Sequence, residues 1–428
     1  MATGVSGTTW TLRAGEEFRF EVSHNEIATI TLTSGSAEIF GAEMVANRAY
    51  CFTSTQQAVF SWHGCSLQVE GQTGHSYVAS ETPMNAFLQL HGELDGRRSA
   101  ARASGGEGPR VLIAGPADTG KSSLSRILAN YLVRSGFTGT LVDFDLEHGE
   151  LLVPGTLSAV PLSRPLDIEG NTEDLCPLSY WLGHTSAAEH LTHLKVLVSA
   201  LVQGVRARHD ADRESRAGGM IINTNGWVDG LGYELLLQQA NELRADVLIV
   251  LGDDRLHSQL LGHANSSPIR PSVVKVVKSG GVITRSPQAR SRAQKERIDE
   301  YMYGPTRELF PHAVILDFSA ISVFSIDVMT FAHSTALPIG MKLQENQLAS
   351  KQLPPNLYPS LSYSLLAVVH AESGKCDDLL AANAAGFVWV SSVDIERQKI
   401  TLLAPAPLMT QSLMLLAGSI KWSNDQGK

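Results

Sequence analysis

The stretch Gly115-Pro116-Ala117-Asp118-Thr119-Gly120-Lys121-Ser122-Ser123 decides the fold of this chain. The apolar run Val111–Ala114 precedes it, and apolar residues recur at helical spacing from Leu124 to Leu132. The pattern therefore predicts strand, loop and helix, which is the context that a phosphate-binding loop requires. We expect this loop to bind a nucleotide rather than to serve only as a structural connection.

The residue types of the loop suit such a site. Gly115 and Gly120 allow backbone conformations that other residues resist, so that successive N–H groups can turn inward around phosphates. Lys121 would reach the β and γ oxygens, and the hydroxyl of Ser122 would be a ligand of Mg²⁺. The helix that begins here points its positive end at the anion.

The composition limits the other possibilities. A chain of 428 residues exceeds the size of a single hydrophobic core, which predicts two or three domains. A hydrophobic fraction of 43% and a charged fraction of 18% are ordinary for a soluble globular protein. The net charge of −9 argues against coating nucleic acid by bulk electrostatics, so any nucleic acid must be held locally.

The cysteines and the N-terminus indicate the compartment. The four cysteines lack the paired spacing of a zinc site or a disulfide framework, which favours a reducing compartment. The first residues are not those of a signal sequence, and no stretch approaches ~20 consecutive apolar residues. The sequence predicts a soluble protein that is not secreted and has no membrane partner.

Three patterns follow one another along the chain. Short strand signals between Phe18 and Ala79 are typical of a small sandwich or barrel, strands then alternate with helices, and strands return from about Pro311. The predicted fold is an α/β P-loop NTPase core between a small N-terminal β-sandwich and a C-terminal β-rich domain. The predicted domains are residues 1–100, 101–308 and 309–428. The predicted strands of the core are Val111–Ala114, Gly139–Phe144, Met220–Asn223, Val247–Leu251 and Val273–Val277.

Two segments lie between the sandwich and the core. Asn85 to Leu94 has helical spacing, whereas Arg97 to Gly108 is small, basic and polar. The second segment predicts an exposed linker or loop. Its basic residues could contact RNA, although a solvated tether is the simpler interpretation.

Two carboxylates lie at the end of the second core strand. Side chains alternate along a strand, so Asp143 and Asp145 would share a face at the carboxyl edge, where ligands bind in open α/β sheets. Such a carboxylate could orient a Mg²⁺-bound water or accept the proton of an attacking hydroxyl. The alternative is that either residue caps a neighbouring helix.

A glycine pair precedes an arginine-rich helix near the end of the core. Lys278-Ser279-Gly280-Gly281 is followed by Arg285 and Arg290, a pattern that fits a hinged lid with guanidinium groups for the migrating phosphoryl group. A solvated basic helix face is the alternative.

Two further segments could bind nucleic acid. Trp227 follows an apolar strand and could stack on a nucleobase, or pack at the rim of the core. Thr185, between His184 and Ser186, could hold a phosphate or belong to a helix cap. The fourteen histidines show no metal spacing.

Taken together, the motifs resemble those of the Clp polynucleotide-kinase family, the RNA 5′-hydroxyl kinases that are subunits of the eukaryotic mRNA cleavage and polyadenylation factor. The resemblance covers nearly the whole chain. Its motifs are Gly35 to Gly41, Thr82 to Met84, Gly115 to Ser122, Val153 to Thr156, Gly183 to Ser186, Asn223 to Trp227, Lys278 to Gly281, Tyr301 to Gly304, Leu337 to Gly340 and Gly386 to Asp394.

The resemblance implies a nuclear kinase with ATP and Mg²⁺ between the loop and a lid. It implies binding to an RNA 5′ end, to cleavage and polyadenylation factor subunits and, as in animals, to the tRNA-splicing endonuclease. The implied catalytic residues are Lys121, Asp145, Arg285 and Arg290, the metal ligands Ser122 and Asp145, and the RNA-binding residues Trp227 and Thr185. The implied ATP-binding residues are Glu17, Gly115, Asp118, Thr119, Gly120, Lys121, Ser122 and Ser123.

The sequence also departs from the family pattern. Active relatives follow the catalytic aspartate with a small apolar residue, Gly, Gln and Gly, whereas Leu146, Glu147, His148 and Gly149 stand here. A further lid arginine is replaced by Gln294. Two hypotheses therefore remain: an ATP-dependent RNA 5′-hydroxyl kinase, or an ATP-bound scaffold without catalysis that docks cleavage-factor partners.

Overall fold

The computed structural model describes residues 7–24, 26–171, 175–329, 347–371, 376–408 and 412–423. They form two compact units. The first comprises Met1–Asp143, Ala159–Pro177 and Val205–Glu296, and the second Phe144–Ser158, Leu178–Gly204 and Arg297–Lys428. The boundaries of the three predicted domains stay predictions, and the motif at 337–340 lies outside the described residues.

The N-terminal region is the predicted β-sandwich. Along its third strand, Ala28, Ile30 and Leu32 are buried while the residues between them are not, because alternate side chains of a strand point to opposite faces. The strands are β1 (Thr8–Leu12), β2 (Glu16–Glu21), β3 (Ile27–Gly35), β4 (Glu38–Ile39), β5 (Ala42–Glu43), β6 (Ala49–Thr53), β7 (Gln56–Ser61), β8 (Cys65–Gly71) and β9 (Ser76–Ala79). Two sheets result, with orders β1-β8-β3-β6 and β5-β4-β7-β2-β9.

The predicted linker is wrong, because Arg97 to Ser104 continues the helix α1 (Met84–Ser104). Alanine and arginine are good helix formers, and tertiary contacts hold this part of the helix. The Arg98 side chain is fully buried and its Nε donates to the carbonyl of Gly218 at 3.2 Å. Burial lowers the pKa of Arg98 to about 10.

The central region alternates strands and helices. Its elements are β10 (Arg110–Ala114), α2 (Lys121–Arg134), β11 (Gly139–Asp143), β12 (Thr156–Leu162), β13 (Leu178–Trp181), α3 (Leu191–Ala211), α4 (Arg213–Gly218), β14 (Met220–Asn223), α5 (Leu231–Glu242), β15 (Val247–Leu251), α6 (Asp254–Ser266), β16 (Ser272–Val276) and α7 (Pro287–Tyr303). In the first unit the parallel strands have the order β11-β14-β10-β15-β16. Every residue of β14 and β15 is buried, as continuous apolar runs predict.

The C-terminal region is β-rich, as predicted. Its elements are β17 (His312–Asp317), β18 (Ile321–Met329), β19 (Gln347–Gln352), β20 (Ser364–Val369), α8 (Cys376–Leu380), β21 (Ala384–Asp394), β22 (Lys399–Ala404) and β23 (Leu413–Lys421). The sheet order is β17-β22-β21-β20-β23-β18-β19, and β18 pairs with β23 in parallel. None of the helices that the structure describes is long and apolar enough to cross a membrane.

The sandwich is fastened to α2 by a buried carboxylate. Glu38 accepts hydrogen bonds from the hydroxyl of Tyr131 and from Nη1 of Arg134, the latter at 2.6 Å. Burial and the neighbouring Glu38 raise the pKa of Tyr131. Nδ2 of the preceding residue, Asn130, donates to the carbonyl of Phe40 at 2.8 Å. The motif from Gly35 to Gly41 thus contacts the helix that begins at the phosphate loop.

Glu38→Ala should lower the free energy of unfolding by about 3 kcal/mol, because it leaves Arg134 and Tyr131 without their shared acceptor. Glu43→Ala is the matched control: Glu43 lies 3.4 Å from the same guanidinium but its side chain is 64% exposed, so about 0.5 kcal/mol or less is expected. Urea unfolding of both variants measures the difference. Equal losses would contradict this role of Glu38.

Candidate nucleotide-binding site

The phosphate loop connects the central strand of the first unit to a helix N-terminus. β10 ends at Ala114 and α2 begins at Lys121, with Gly120 before it at φ 90°. Asp118 is a non-glycine residue in the left-handed region, at φ 57°. The first N–H groups of α2 have no acceptor within the helix and therefore face the loop, as a site for an anion requires.

Close approaches between backbone segments explain why glycine occupies positions 115 and 226. A Cβ on Gly115 would lie 2.5 Å from the carbonyl oxygen of Leu251, and a Cβ on Gly226 would lie 2.7 Å from the backbone nitrogen of Ala117. Real Cβ atoms do not approach backbone so closely. The loop is therefore held against two neighbouring strand ends and keeps one shape.

The lysine of the loop is buried and oriented. The Lys121 ammonium donates to the carbonyl oxygen of Pro116 at 2.8 Å, and the hydroxyl of Thr119 donates to the same oxygen at 2.9 Å. Both residues are about one-twentieth exposed, at 6% each. The charge thus lies over the loop, where the phosphates of a nucleotide would need it. Ser123 follows in the first turn of α2.

A hydrogen-bonded row of polar side chains lies at the same end of the sheet. Nδ2 of Asn223, the last residue of β14, donates to Oγ of Ser122 at 3.3 Å and to Oδ1 of Asp143 at 3.0 Å. Oδ1 of Asn223 is buried and has no hydrogen-bond partner in the described part of the chain. No role is assigned to Asn223 from the sequence, although its position at the end of a predicted core strand indicates a place at the ligand-binding edge of the sheet.

The chemistry of this row fits Mg²⁺. Hydroxyl, carboxylate and amide oxygens are the ligands that this ion takes, and it usually keeps waters and phosphate oxygens as its other ligands. Among the described residues no group of three or more His, Cys, Asp or Glu forms an all-protein metal site. Ser122 and Asp143 would therefore hold the ion together with the nucleotide, whereas the role of Asp145 as a metal ligand stays a prediction from the resemblance.

Asp145 has a different setting from Asp143. β11 ends at Asp143, so the alternation that would give both residues the same face does not extend to Asp145, which belongs to the second unit. Its buried carboxylate accepts from the backbone N–H of Glu147 at 3.0 Å and lies 2.7 Å from Nδ1 of His148. Two of the residues that depart from the family pattern therefore contact this carboxylate directly, Glu147 through its backbone and His148 through its side chain.

The lid segment, residues 278–290, contacts the loop through Asp118. Oδ2 of Asp118 accepts from the backbone N–H of Arg285 at 3.0 Å and from Nη2 of Arg290 at 2.7 Å. Between the two glycines and these arginines, Val282 lies 3.0 Å from the position that a Cβ on Gly120 would take. Both predicted lid arginines are thus linked to the phosphate loop itself.

The predicted adenine contact is already engaged by protein groups. Glu17 is buried, accepts from the guanidinium of Arg19 and accepts from the hydroxyl of Thr82 at 2.9 Å. Burial alone would lower the pKa of Arg19, but hydrogen bonds to Tyr77 and Glu17 raise it above its ordinary value. Arg19 also lies against Gly281 of the lid segment.

The predicted RNA-binding residues lie in different units. Trp227, in the first unit, is half-buried and its ring covers Gly232, where an added Cβ would lie 2.5 Å from the ring. Thr185, in the second unit, is half-buried and follows His184, whose ring stacks on His190. The RNA contacts of both residues stay predictions.

This loop, with its buried lysine and the Ser122–Asn223–Asp143 row, defines the class: a P-loop nucleotide-binding protein. Family models then match three consecutive parts of the chain. They are the N-terminal beta-sandwich domain of polyadenylation factor at residues 11–101, the P-loop of mRNA cleavage and polyadenylation factor CLP1 at 115–304, and pre-mRNA cleavage complex II protein Clp1 at 309–424.

Curated relatives extend over nearly the whole chain. Protein CLP1 homolog of Dictyostelium discoideum is 36% identical over 413 residues, covering 96% of this chain and 89% of the relative. Polyribonucleotide 5′-hydroxyl-kinase Clp1 of Xenopus laevis is 37% identical over 423 residues, covering 98% and 95%. The chain belongs to the CLP1 family.

Two solved structures share the fold. The wild-type Clp1p–Pcf11p complex matches with a TM-score of 0.85 at 22% identity, over 98% of both chains. A second structure, which concerns an extended interface between Pcf11p and Clp1p and the loss of ATP in a glycine point mutant, matches with a TM-score of 0.85 at 21% identity. The three-region architecture is therefore that of the CLP1 fold.

Gly226→Ala should weaken the binding of magnesium-ATP about tenfold, since the added methyl group would displace Ala117 and with it the loop, at a cost of about 1.4 kcal/mol. Gly92→Ala is the control, because a Cβ there meets nothing within 4 Å. Calorimetric titration of both variants gives the two dissociation constants. An unchanged constant for Gly226→Ala would show that the close approach does not shape the site.

Proposed function

We propose that this chain binds ATP and Mg²⁺ at the phosphate loop and transfers the γ-phosphoryl group to the 5′-hydroxyl of an RNA. The observation that carries the proposal is the row of Ser122, Asn223 and Asp143 at the start of α2, next in sequence to the buried Lys121. Near-full-length relatives from two Xenopus species that are named polyribonucleotide 5′-hydroxyl-kinase support the reaction.

The chain's own groups bind and orient the triphosphate in this proposal. The backbone N–H groups of the loop and the Lys121 ammonium bind the β- and γ-phosphates, and the two arginines of the lid segment supply further positive charge. Mg²⁺, when bound through Ser122 and Asp143, supplies neutralisation of the charge on the transferring group. The bond from the γ-phosphorus to the bridging oxygen of ADP breaks as the bond to the RNA 5′ oxygen forms.

The RNA end is assigned to residues that the family resemblance indicates. Asp145 takes the proton of the attacking 5′-hydroxyl, Trp227 stacks on the terminal base and Thr185 contacts the RNA. The buried carboxylate of Asp145 and the half-exposed ring of Trp227 support these roles. Glu17 is assigned to the adenine, with Arg19 and Thr82 holding its carboxylate.

Membership of the CLP1 family supports a proposal about the complex in which the chain works. We propose that the chain is a nuclear subunit of the pre-mRNA cleavage and polyadenylation factor and binds a partner of the Pcf11 type. The support is that all three family models are named for this machinery and that a solved Clp1p is in complex with Pcf11p. Binding to the tRNA-splicing endonuclease stays a prediction from the resemblance.

The second candidate function is an ATP-bound scaffold without catalysis. The contact between Asp145 and Nδ1 of His148, at 2.7 Å, favours it, because a carboxylate held by an imidazole is a poorer acceptor for a hydroxyl proton. His148 is one of the residues at which this chain departs from active relatives. The two candidates share the nucleotide site and differ only in turnover.

A kinase assay with γ-labelled ATP and a 5′-hydroxyl RNA oligonucleotide separates the two. The native chain should label the RNA, and Lys121→Ala should lower the rate about 100-fold or more. Lys399→Ala, at a half-exposed ion pair on β22, should match the native rate. If the native chain binds ATP but does not label the RNA, the kinase hypothesis is contradicted and the scaffold hypothesis is supported.

His148→Gln should raise the rate of RNA phosphorylation about tenfold, because it frees Asp145 from the imidazole and restores the family residue. His312→Gln, on the exposed start of β17, is the control and should leave the rate unchanged. Initial rates at saturating ATP measure the effect. A rate for His148→Gln equal to the native one would show that this contact does not restrain Asp145.

A further inference from the structure

The phosphate loop carries one carboxylate, that of Asp118, which the resemblance counts among the ATP-binding residues. Asp118 lies at φ 57°, a conformation that aspartate tolerates better than most residues, and its side chain is only 8% exposed. One of its oxygens, Oδ2, accepts from both the N–H of Arg285 and the guanidinium of Arg290. A negative charge inside a loop built for phosphates is unfavourable unless a cation neutralises it, and Arg290 does so.

The same contacts place the lid segment against the loop. Arg285 is held by its backbone, so the bond does not depend on its side chain, whereas Arg290 is held by its charge. Val282 and Gly281 are fixed nearby, the first against Gly120 and the second against Arg19. The Asp118 side chain thus links the loop stretch 115–123 to the lid segment through two hydrogen bonds.

We propose that Asp118 is a positioning residue that docks the lid segment on the phosphate loop before nucleotide binds. Arg290 then exchanges this carboxylate for a phosphate oxygen when the triphosphate arrives, while the N–H of Arg285 stays on Asp118. Docking thereby places Arg290 where a rotation of its side chain is enough to reach the phosphate. Only the exchange step depends on the proposed function, because the docking needs no ligand.

Hydrogen exchange of the full-length protein without nucleotide tests the docking. Asp118→Gly removes the carboxylate and keeps the left-handed backbone, and should speed amide exchange across residues 282–290 about tenfold or more. Asp118→Asn keeps an acceptor without the charge and should give a smaller increase. Asp212→Ala is the control, because it removes a carboxylate that also accepts two hydrogen bonds, here both from backbone N–H groups at the start of α4.

Addition of magnesium-ATP tests the exchange step. In Asp118→Gly the nucleotide should restore slow exchange at residues 286–290, because a phosphate replaces the carboxylate as the partner of Arg290. Asp118→Gly combined with Arg290→Ala should show no such recovery. If Asp118 only shaped the loop, the recovery of slow exchange on adding ATP would not require Arg290.

The outcomes are distinct. Native-like exchange in Asp118→Gly without nucleotide would overturn the docking. Failure of ATP to restore protection, in a sample that calorimetry shows to bind ATP, would overturn the exchange step. A native protein that binds no ATP would instead refute the proposed function, while the nucleotide-free comparison would still decide the role of Asp118.

Discussion

The structure of the first unit depends on the anchoring of one helix at both ends. The N-terminus of α2 presents its unsatisfied N–H groups and Lys121 to the phosphate loop, and its last turns are fastened to the sandwich by Glu38. A helix dipole can bind an anion only if the helix cannot shift away from it. The sandwich therefore contributes to the site by fixing the helix that forms it, in addition to carrying Glu17 on β2.

Charge balance is the second constraint on the site. A pocket for a triphosphate needs positive charge, yet three carboxylates occur in or next to its motifs. Each has a defined partner: Asp118 is held by Arg290, Asp143 by the amide of Asn223, and Asp145 by His148 in the second unit. Such pairing limits repulsion of phosphate and leaves each carboxylate oriented. It also makes His148 the residue at which the kinase and scaffold hypotheses diverge.

The sequence predicted most of the fold because its strongest signals are local. The strands at 220–223 and 247–251 and the loop before Lys121 were predicted where the structure has them, since apolar runs and a glycine-bounded loop are visible without tertiary context. The linker prediction failed because the buried Arg98 contacts residues distant in sequence, such as the carbonyl of Gly218, and local spacing does not reveal such contacts. The strands β12 and β13 were missed, and the contacts of Asn223 and Asp118 could not be predicted from spacing, because they depend on the folded chain.

The most direct test of the account compares ATP with AMP, each with Mg²⁺, in calorimetric titrations of the purified chain. If the N-terminus of α2 and Lys121 bind the β- and γ-phosphates, ATP should bind one to one and about 100-fold more tightly than AMP, because AMP lacks the groups for about two charge-assisted hydrogen bonds. Equal affinities for the two nucleotides, or no binding of either, would contradict the claim that this helix and loop form a triphosphate site.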